Sequence, residues 1–194
     1  MDLTEHSSIQ IFFIVLWIMM PAYLSNTFAV ITGGKYPIDQ GKLHNDGNRI
    51  LGDGKTWSGL IGGTIGGTMI GYLQINHGEI IIEALANTNN YDFWGEKSLL
   101  IIFLLAFGAL LGDMTASFFK RRSKLNRGDK SPILDMFDFI GMALFLTLIF
   151  DYDWLKSWIL DGYVPLFTLL IATPVLHRGV NIIGYKIGIK NEPW

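Results

Sequence analysis

Cysteine is absent from the 194 residues, which excludes a disulfide framework and any thiolate metal site. Charge is scarce. Only 16% of the chain is Asp, Glu, Lys or Arg, where roughly 25% is usual in a soluble domain. Neither sign dominates, and a net charge of -2 argues against a general nucleic-acid binder, which needs a basic face. Histidine occurs only at 6, 44, 77 and 177, in no metal-like spacing, so these side chains are expected in solvent or at an interface. Lys and Arg are missing from Met1 to Ser8. That start lacks the basic region of a secretory signal, so the first apolar run is expected to be retained.

What is present is apolar. Half of the residues are hydrophobic and 13% are aromatic, and the hydrophobic positions gather in long runs. The pattern predicts an all-α polytopic membrane protein, one domain over residues 1–194, with five transmembrane helices at about 9–31, 58–75, 99–119, 133–150 and 162–182. Pro21 predicts a kink in the first span. The same span turns polar at Ser25, Asn26 and Thr27, where Asn26 reads either as a helix-end cap or as a binding residue. Glycines at 59, 62, 63, 66, 67 and 71 in the second span predict close helix packing in lipid. A short amphipathic helix is expected around Glu79 to Leu85. Residues 151–161 read as a short polar connection, and Pro174 as an interruption of the last span. The tryptophans lie mostly near predicted interfaces, as an aromatic belt would.

Orientation follows from the cations. Lys35, Lys42, Arg49 and Lys55 lie in the first long loop. Lys120, Arg121, Arg122, Lys124, Arg127 and Lys130 lie in the second, and Arg178, Lys186 and Lys190 in the tail. Only Lys97 and Lys156 fall on the other side. This predicts the N-terminus outside, the C-terminus cytoplasmic, and two long cytoplasmic loops forming the active site, with nucleotides on the same side.

The stretch Gly112-Asp113-Met114-Thr115-Ala116-Ser117-Phe118-Phe119-Lys120-Arg121-Arg122 leaves an apolar run and ends in three cations. A carboxylate at such depth is a functional candidate. On a helix Asp113 and Ser117 share a face, and Lys120 follows one turn on. Asp135 and Asp138 are three apart and share a face at the start of the fourth span. Acids beside cations at a membrane edge read in two ways: as ion pairs and lipid anchors, or as a site where Mg²⁺ takes carboxylate and phosphate oxygens while Lys and Arg take the remaining phosphate charge.

Two comparisons fail. Gly54-Lys55-Thr56 ends like a Walker A loop, but Arg49 stands where its first glycine belongs and no strand precedes it. Asp46-Gly47 opens like the motif of the CDP-alcohol phosphotransferases, but Asn48-Arg49-Ile50-Leu51 lacks their Ala-Arg, and Asp135 and Asp138 are three apart rather than four. A rival reading, a transporter or channel with a charged cytoplasmic mouth, calls for charges at the centres of several spans, and the spans carry none there.

A third comparison holds. Asp113, Ser117 and Lys120-Arg121-Arg122, followed by Gly128, Pro132, Asp135 and Asp138, resemble the signature of the CTP-dependent phosphatidate cytidylyltransferases. The His-Gly-Gly of the bacterial and eukaryotic enzymes is missing, and Met136 stands where they have Arg. These departures resemble the archaeal branch, the CDP-archaeol synthases. Pro21-Ala22-Tyr23, Asn26, Pro37-Ile38-Asp39, Asp46-Gly47 and the run from Arg49 to Trp57 with Gly59 agree with it. Met136 departs from it too, where Gln is expected. The likeness covers nearly the whole chain.

The resemblance implies transfer of CMP from CTP to an isoprenoid glycerol phosphate lipid, with pyrophosphate released, at the cell membrane. It implies Mg²⁺ held by Asp113, Asp135 and Asp138. Lys120 and Arg121 are expected at the phosphates, with Arg122 and Ser117 as further candidates. Asn26 and the turn Gly52, Asp53, Gly54, Lys55 and Thr56 are expected around the nucleotide, with Lys55 near its phosphates.

Overall fold

The computed structural model describes residues 6–88, 93–125, 129 and 131–188, the side chains of 132–134 excepted. Arg127, Gly128, Lys130 and Lys190 of the expected basic loop and tail, and the side chain of Pro132, lie outside the described residues. In chain order the helices are α1 (Ser8–Ile18), α2 (Met20–Thr32), α3 (Trp57–His77), α4 (Glu79–Ala86), α5 (Ser98–Arg122), α6 (Pro132–Phe150), α7 (Tyr152–Leu155), a π-helical turn (Lys156–Leu160) and α8 (Tyr163–Lys186). Among the described residues there are no strands, only isolated bridges between Pro37 and Thr56 and between Leu43 and Arg49. Three stretches among the described residues are long and apolar enough to cross a bilayer: Ser8–Thr32, Ser98–Arg122 and Tyr163–Lys186.

The first of these is broken where the sequence implies. α1 begins on a capping box, in which Ser7 and Gln10 each bond the other's backbone. It ends at Met19, and Pro21 opens α2. Proline has no N–H, so the carbonyl one turn back, that of Trp17, loses its helical donor. The buried Gln74 amide of α3 donates to that oxygen at 2.7 Å. A polar side chain from a neighbouring helix thus satisfies the freed backbone group, as a lipid-facing segment requires.

α3 is inside out compared with a soluble helix. Its buried positions are Gly59, Gly63, Gly66, Gly67, Gly71 and Gln74. Its outward face carries Ile61, Ile65, Met69, Tyr72 and Leu73, all more than two-fifths exposed. Small residues face protein and large apolar ones face outward, which is the membrane pattern. A Cβ on Gly63 would meet Ser25 O at 2.7 Å, and one on Gly67 would meet Pro21 O at 2.6 Å. The glycines therefore set the α2–α3 distance, as their spacing implies.

α5 and α6 cross in the same way. A Cβ on Gly108 would lie 2.7 Å from Ala143 Cα, and one on Gly112 would lie 2.2 Å from Asp138 O. The second contact sits beside Asp113. It brings the turn that bears Asp138 against the turn that bears Asp113.

Two expectations need correction. Residues 151–161 are not a simple polar connection. They form α7 and the π-helical turn, with Trp154, Leu155, Trp158 and Ile159 buried. Trp154 stacks on Trp94 at 6.1 Å and donates to Phe93 O at 2.8 Å, and Lys97 pairs with Asp151 at 3.3 Å. The apolar pairs recur every four residues, so the signal was helical periodicity hidden among charges. Nor does Pro174 interrupt the last helix, because α8 runs through it from Tyr163 to Lys186. The amphipathic helix expected near Glu79 is α4, with Ile82 and Ala86 buried and Ile80 and Ile81 exposed.

Candidate active site

The site is built where the loop of residues 33–56 folds over the C-terminal end of α5. That loop has no helix of its own, and its shape is set by backbone bonds, such as Ile38 N to Lys55 O at 2.9 Å, together with side chains. The centre is Asp39, whose side chain is fully buried. Its Oδ1 accepts Arg49 Nη2 at 2.6 Å and Gly41 N at 3.2 Å. Its Oδ2 accepts Arg49 Nε at 3.1 Å, Leu51 N at 3.0 Å and Gly52 N at 2.8 Å. The Arg49 guanidinium, first, and the Gly52, Leu51 and Gly41 amides hold the carboxyl well below its usual range against the opposing effect of burial. Arg49 in turn is pushed above its ordinary value, chiefly by Asp39.

Beyond Leu51 the chain turns through Gly52, whose φ is +94°. This left-handed conformation suits glycine. The turn closes with Lys55 N donating to Gly52 O at 3.2 Å. Thr56 then caps α3, its Oγ1 accepting Gly59 N at 3.1 Å. Lys55 Nζ emerges from the turn and pairs with Asp113 Oδ2. The first loop and α5 therefore meet through a cation and an acid that lie 58 positions apart.

The three cations at the end of α5 have separate partners. Lys120 pairs with Asp135 of α6, and Asp135 Oδ2 also accepts Ser131 N at 3.0 Å. Arg121 donates to Leu125 O, and its Nε reaches Leu51 O at 3.5 Å. Arg122 Nη2 donates to Arg49 O at 2.6 Å. Arg122 Nε lies 3.3 Å from Asp46 Oδ2, and the guanidinium stands 5.0 Å over the Phe118 ring. The Asp46 carboxyl is held below its usual value, chiefly by the Asn48 N–H that it accepts at 3.0 Å, with Arg122 adding to the effect.

Asp113, Asp135, Asp138, Lys55 and Lys120 are thus gathered across one helix crossing. Asp138 feels the charges of Asp113, Asp135 and Lys55, and its Oδ1 accepts its neighbour's N–H, that of Phe139, at 2.6 Å. Among the described residues no three acidic or histidine side chains stand together in metal-binding geometry. Asp113 and Asp135 face lysines instead. The donor set is nevertheless one that fits Mg²⁺: hard carboxylate oxygens, on two helices held in contact by Gly112.

The remaining expected residues divide. Ser117 is buried in α5. Asp53 is mostly exposed and pairs with Arg49 at 2.8 Å. Gly54 lies in the turn between Gly52 and Lys55. Asn26 is not a helix-end cap, because α2 continues to Thr32. Its Oδ1 is buried and has no hydrogen-bond partner. Sequence reasoning missed the part of Asp39 and Arg49. The available signal was an acid and an arginine in a loop too glycine-rich to order itself.

Membrane-length helices that carry paired acids and cations at one end describe a membrane protein with a polar site built into its helices. A solved structure described as "Structural insight into an intramembrane enzyme for archaeal membrane lipids biosynthesis" shares this fold, with a TM-score of 0.65 and 32% identity over 86% of this chain and 92% of that one. The family model described as "CarS-like: CDP-archaeol synthase" matches residues 8–194. CDP-archaeol synthases of Methanospirillum hungatei and Methanocorpusculum labreanum are 46% and 42% identical, each over 91% of this chain and the full length of theirs. A third, from Methanosarcina barkeri, is 44% identical over the same shares. This chain belongs to the CDP-archaeol synthase family. It is an enzyme of archaeal lipid biosynthesis, and the transporter reading is not favoured.

Proposed function

We propose that this protein transfers CMP from CTP to 2,3-bis-O-(geranylgeranyl)-sn-glycerol 1-phosphate, at a cytoplasmic active site in a five-span membrane domain. The observation that carries this reading is the pairing of Lys55 with Asp113 and of Lys120 with Asp135, beside the close contact of Gly112 with Asp138 at the α5–α6 crossing. Five spans are supported by the lengths of α3 and α6, 21 and 19 residues, or about 31 and 28 Å at 1.5 Å per residue. The cytoplasmic assignment rests on the distribution of Lys and Arg.

In the proposed reaction a phosphate oxygen of the lipid attacks the α-phosphorus of CTP. The bond to the bridging oxygen breaks, and pyrophosphate leaves with that electron pair. The attacking monoester is already an anion near neutral pH, so no strong base is called for. The barrier is repulsion between two polyanions, and catalysis is charge neutralisation and alignment. Lys55, Lys120 and Arg121 bind phosphate oxygens, with Arg122 and Ser117 in support. Asp113, Asp135 and Asp138 would hold Mg²⁺, which supplies further neutralisation of the triphosphate. Lys55 and Lys120 now pair with Asp113 and Asp135, and would exchange those carboxylates for phosphate oxygens. The unpartnered Asn26 oxygen is suited to a donor on the cytosine.

The test is product formation by the purified protein from labelled CTP, Mg²⁺ and the geranylgeranylated lipid, with phosphatidate as a control. CDP-lipid that disappears in Asp135→Asn and is weak with phosphatidate is expected. No product from the isoprenoid substrate overturns the proposal.

A further inference from the structure

The Asp39 carboxylate is buried and charged, and the mechanism above does not use it. It receives five N–H donors, two from Arg49 and one each from Gly41, Leu51 and Gly52. Two carboxylate oxygens have about four lone-pair sites, so nothing is left for a substrate. Its effect is exerted on the chain around it.

Each consequence leads to a cation of the site. Drawing the Leu51 and Gly52 amides inward turns the Leu51 carbonyl outward, where Arg121 Nε reaches it at 3.5 Å. The next turn, closed by Lys55 N on Gly52 O at 3.2 Å, delivers Lys55 to Asp113. Arg49, fixed by Asp39 through two parallel hydrogen bonds, offers its own carbonyl to Arg122 at 2.6 Å. Its Nη2 also holds the exposed Asp53 at 2.8 Å, on the far side of the same turn. The loop contains no helix, and backbone bonds such as Ile38 N to Lys55 O at 2.9 Å and Ile50 N to Lys42 O at 3.2 Å complete the frame around this carboxylate.

We infer that Asp39 and Arg49 act as a positioning pair, which presets Lys55, Arg121 and Arg122 for the nucleotide's phosphates without touching the substrate. The inference rests on the proposed reaction. It assigns CTP affinity, rather than the lipid site, to a carboxylate at the centre of the loop. Asp39→Asn keeps the shape but replaces an acceptor of two arginine bonds with an amide that cannot accept both. Arg49→Lys keeps the charge but loses the fork.

The experiment uses full-length protein in lipid nanodiscs and measures KM for CTP and for the lipid phosphate, kcat, and helical content. Asp39→Asn should raise the KM for CTP about tenfold or more, the loss that follows from one hydrogen bond to a charged group, and leave the KM for lipid within twofold. Arg49→Lys should move the same constant in the same direction by less, and this variant serves if Asp39→Asn does not fold. If the helical content is native and the CTP KM is unchanged in either variant, or if both substrates' KM values rise together, the inference is overturned. Inactive wild-type protein instead overturns the proposed reaction, so the two failures are distinguishable.

Discussion

Gly112→Ala tests the architecture of the site with a single methyl group. The added Cβ would stand 2.2 Å from Asp138 O, 2.7 Å from Asp138 C and 2.8 Å from Phe139 Cα. All three are backbone atoms, so no side chain can rotate away. Reaching the 3.4 Å of an ordinary contact opens the α5–α6 crossing by about 1.2 Å, since packed interiors hold no slack to absorb the methyl. Overpacking of this kind costs about 1–3 kcal/mol, less the roughly 1 kcal/mol that alanine gains over glycine in a helix. The effect on rate should be larger. Asp138 would move away from Asp113, and a misplacement of about 1 Å at a reacting centre costs on the order of 100-fold. Gly141→Ala on the same α6 is the control, because its Cβ would meet nothing within 4 Å. Thermal unfolding in detergent and kcat should separate the two: Gly141→Ala up to about 1 kcal/mol more stable than wild type with kcat unchanged, Gly112→Ala less stable than Gly141→Ala and about 100-fold slower. Equal stability and equal kcat in the two variants would refute the argument that this glycine sets the distance between the acids.

Two further outcomes are expected. Asp39 has a depressed folded-state pKa, so its contribution to loop order is fully present above the ordinary carboxylate value of about 4. It is lost only as pH falls below that value, toward the folded pKa. Hydrogen exchange at Leu51 and Gly52, with rates corrected for intrinsic pH dependence, should therefore stay protected from pH 8 to about 5 and weaken below about 4; loss of protection near neutral pH contradicts the assignment. Lys120→Met removes the cation beside Asp135. It should lower kcat by about 100-fold, as loss of one charge-stabilising donor does, with helical content unchanged. A variant that melts earlier yet keeps kcat within a fewfold shows a merely structural ion pair.

The fold was legible where one residue type repeats at helical spacing. The glycines of α3 report close helix packing by themselves, because only a missing Cβ permits it, whereas the same role of Gly108 and Gly112 in α5 emerges only from the structure. Pro21 marks the break between α1 and α2 for an equally local reason. Its remedy was not legible: Gln74 serves the Trp17 carbonyl from 57 positions away, and nothing near either residue specifies the partner. Tyr152 to Leu160 misled for a different reason. Its charges suggested a solvated connection, while the buried face is only Trp154, Leu155, Trp158 and Ile159. Composition outweighed period in a segment barely two turns long.

The candidate site shows the same division at a finer scale. Asp113, Lys120 and Asp135 were legible because a charge at the end of an apolar run is costly and asks for a purpose. Arg122 was legible as a cation but not in its partners, since loop carbonyls carry no sequence signal. Asp39 and Arg49 were the least legible and have the widest structural reach. Charges ten positions apart in a glycine-rich loop look like solvated residues until the backbone amides of Leu51 and Gly52 are seen to close on the same carboxylate. That closure answers a requirement of the loop. With no ladder or helix to satisfy its amides, buried turns need an acceptor from a side chain, and an ionised carboxylate is a strong one. The anion then needs a cation, which Arg49 supplies through both arms of its fork. The acid that orders the loop is in this way tied to the backbone that carries Lys55 toward Asp113. Disturbing either residue should therefore be felt at the phosphates before it is felt in the membrane-spanning helices.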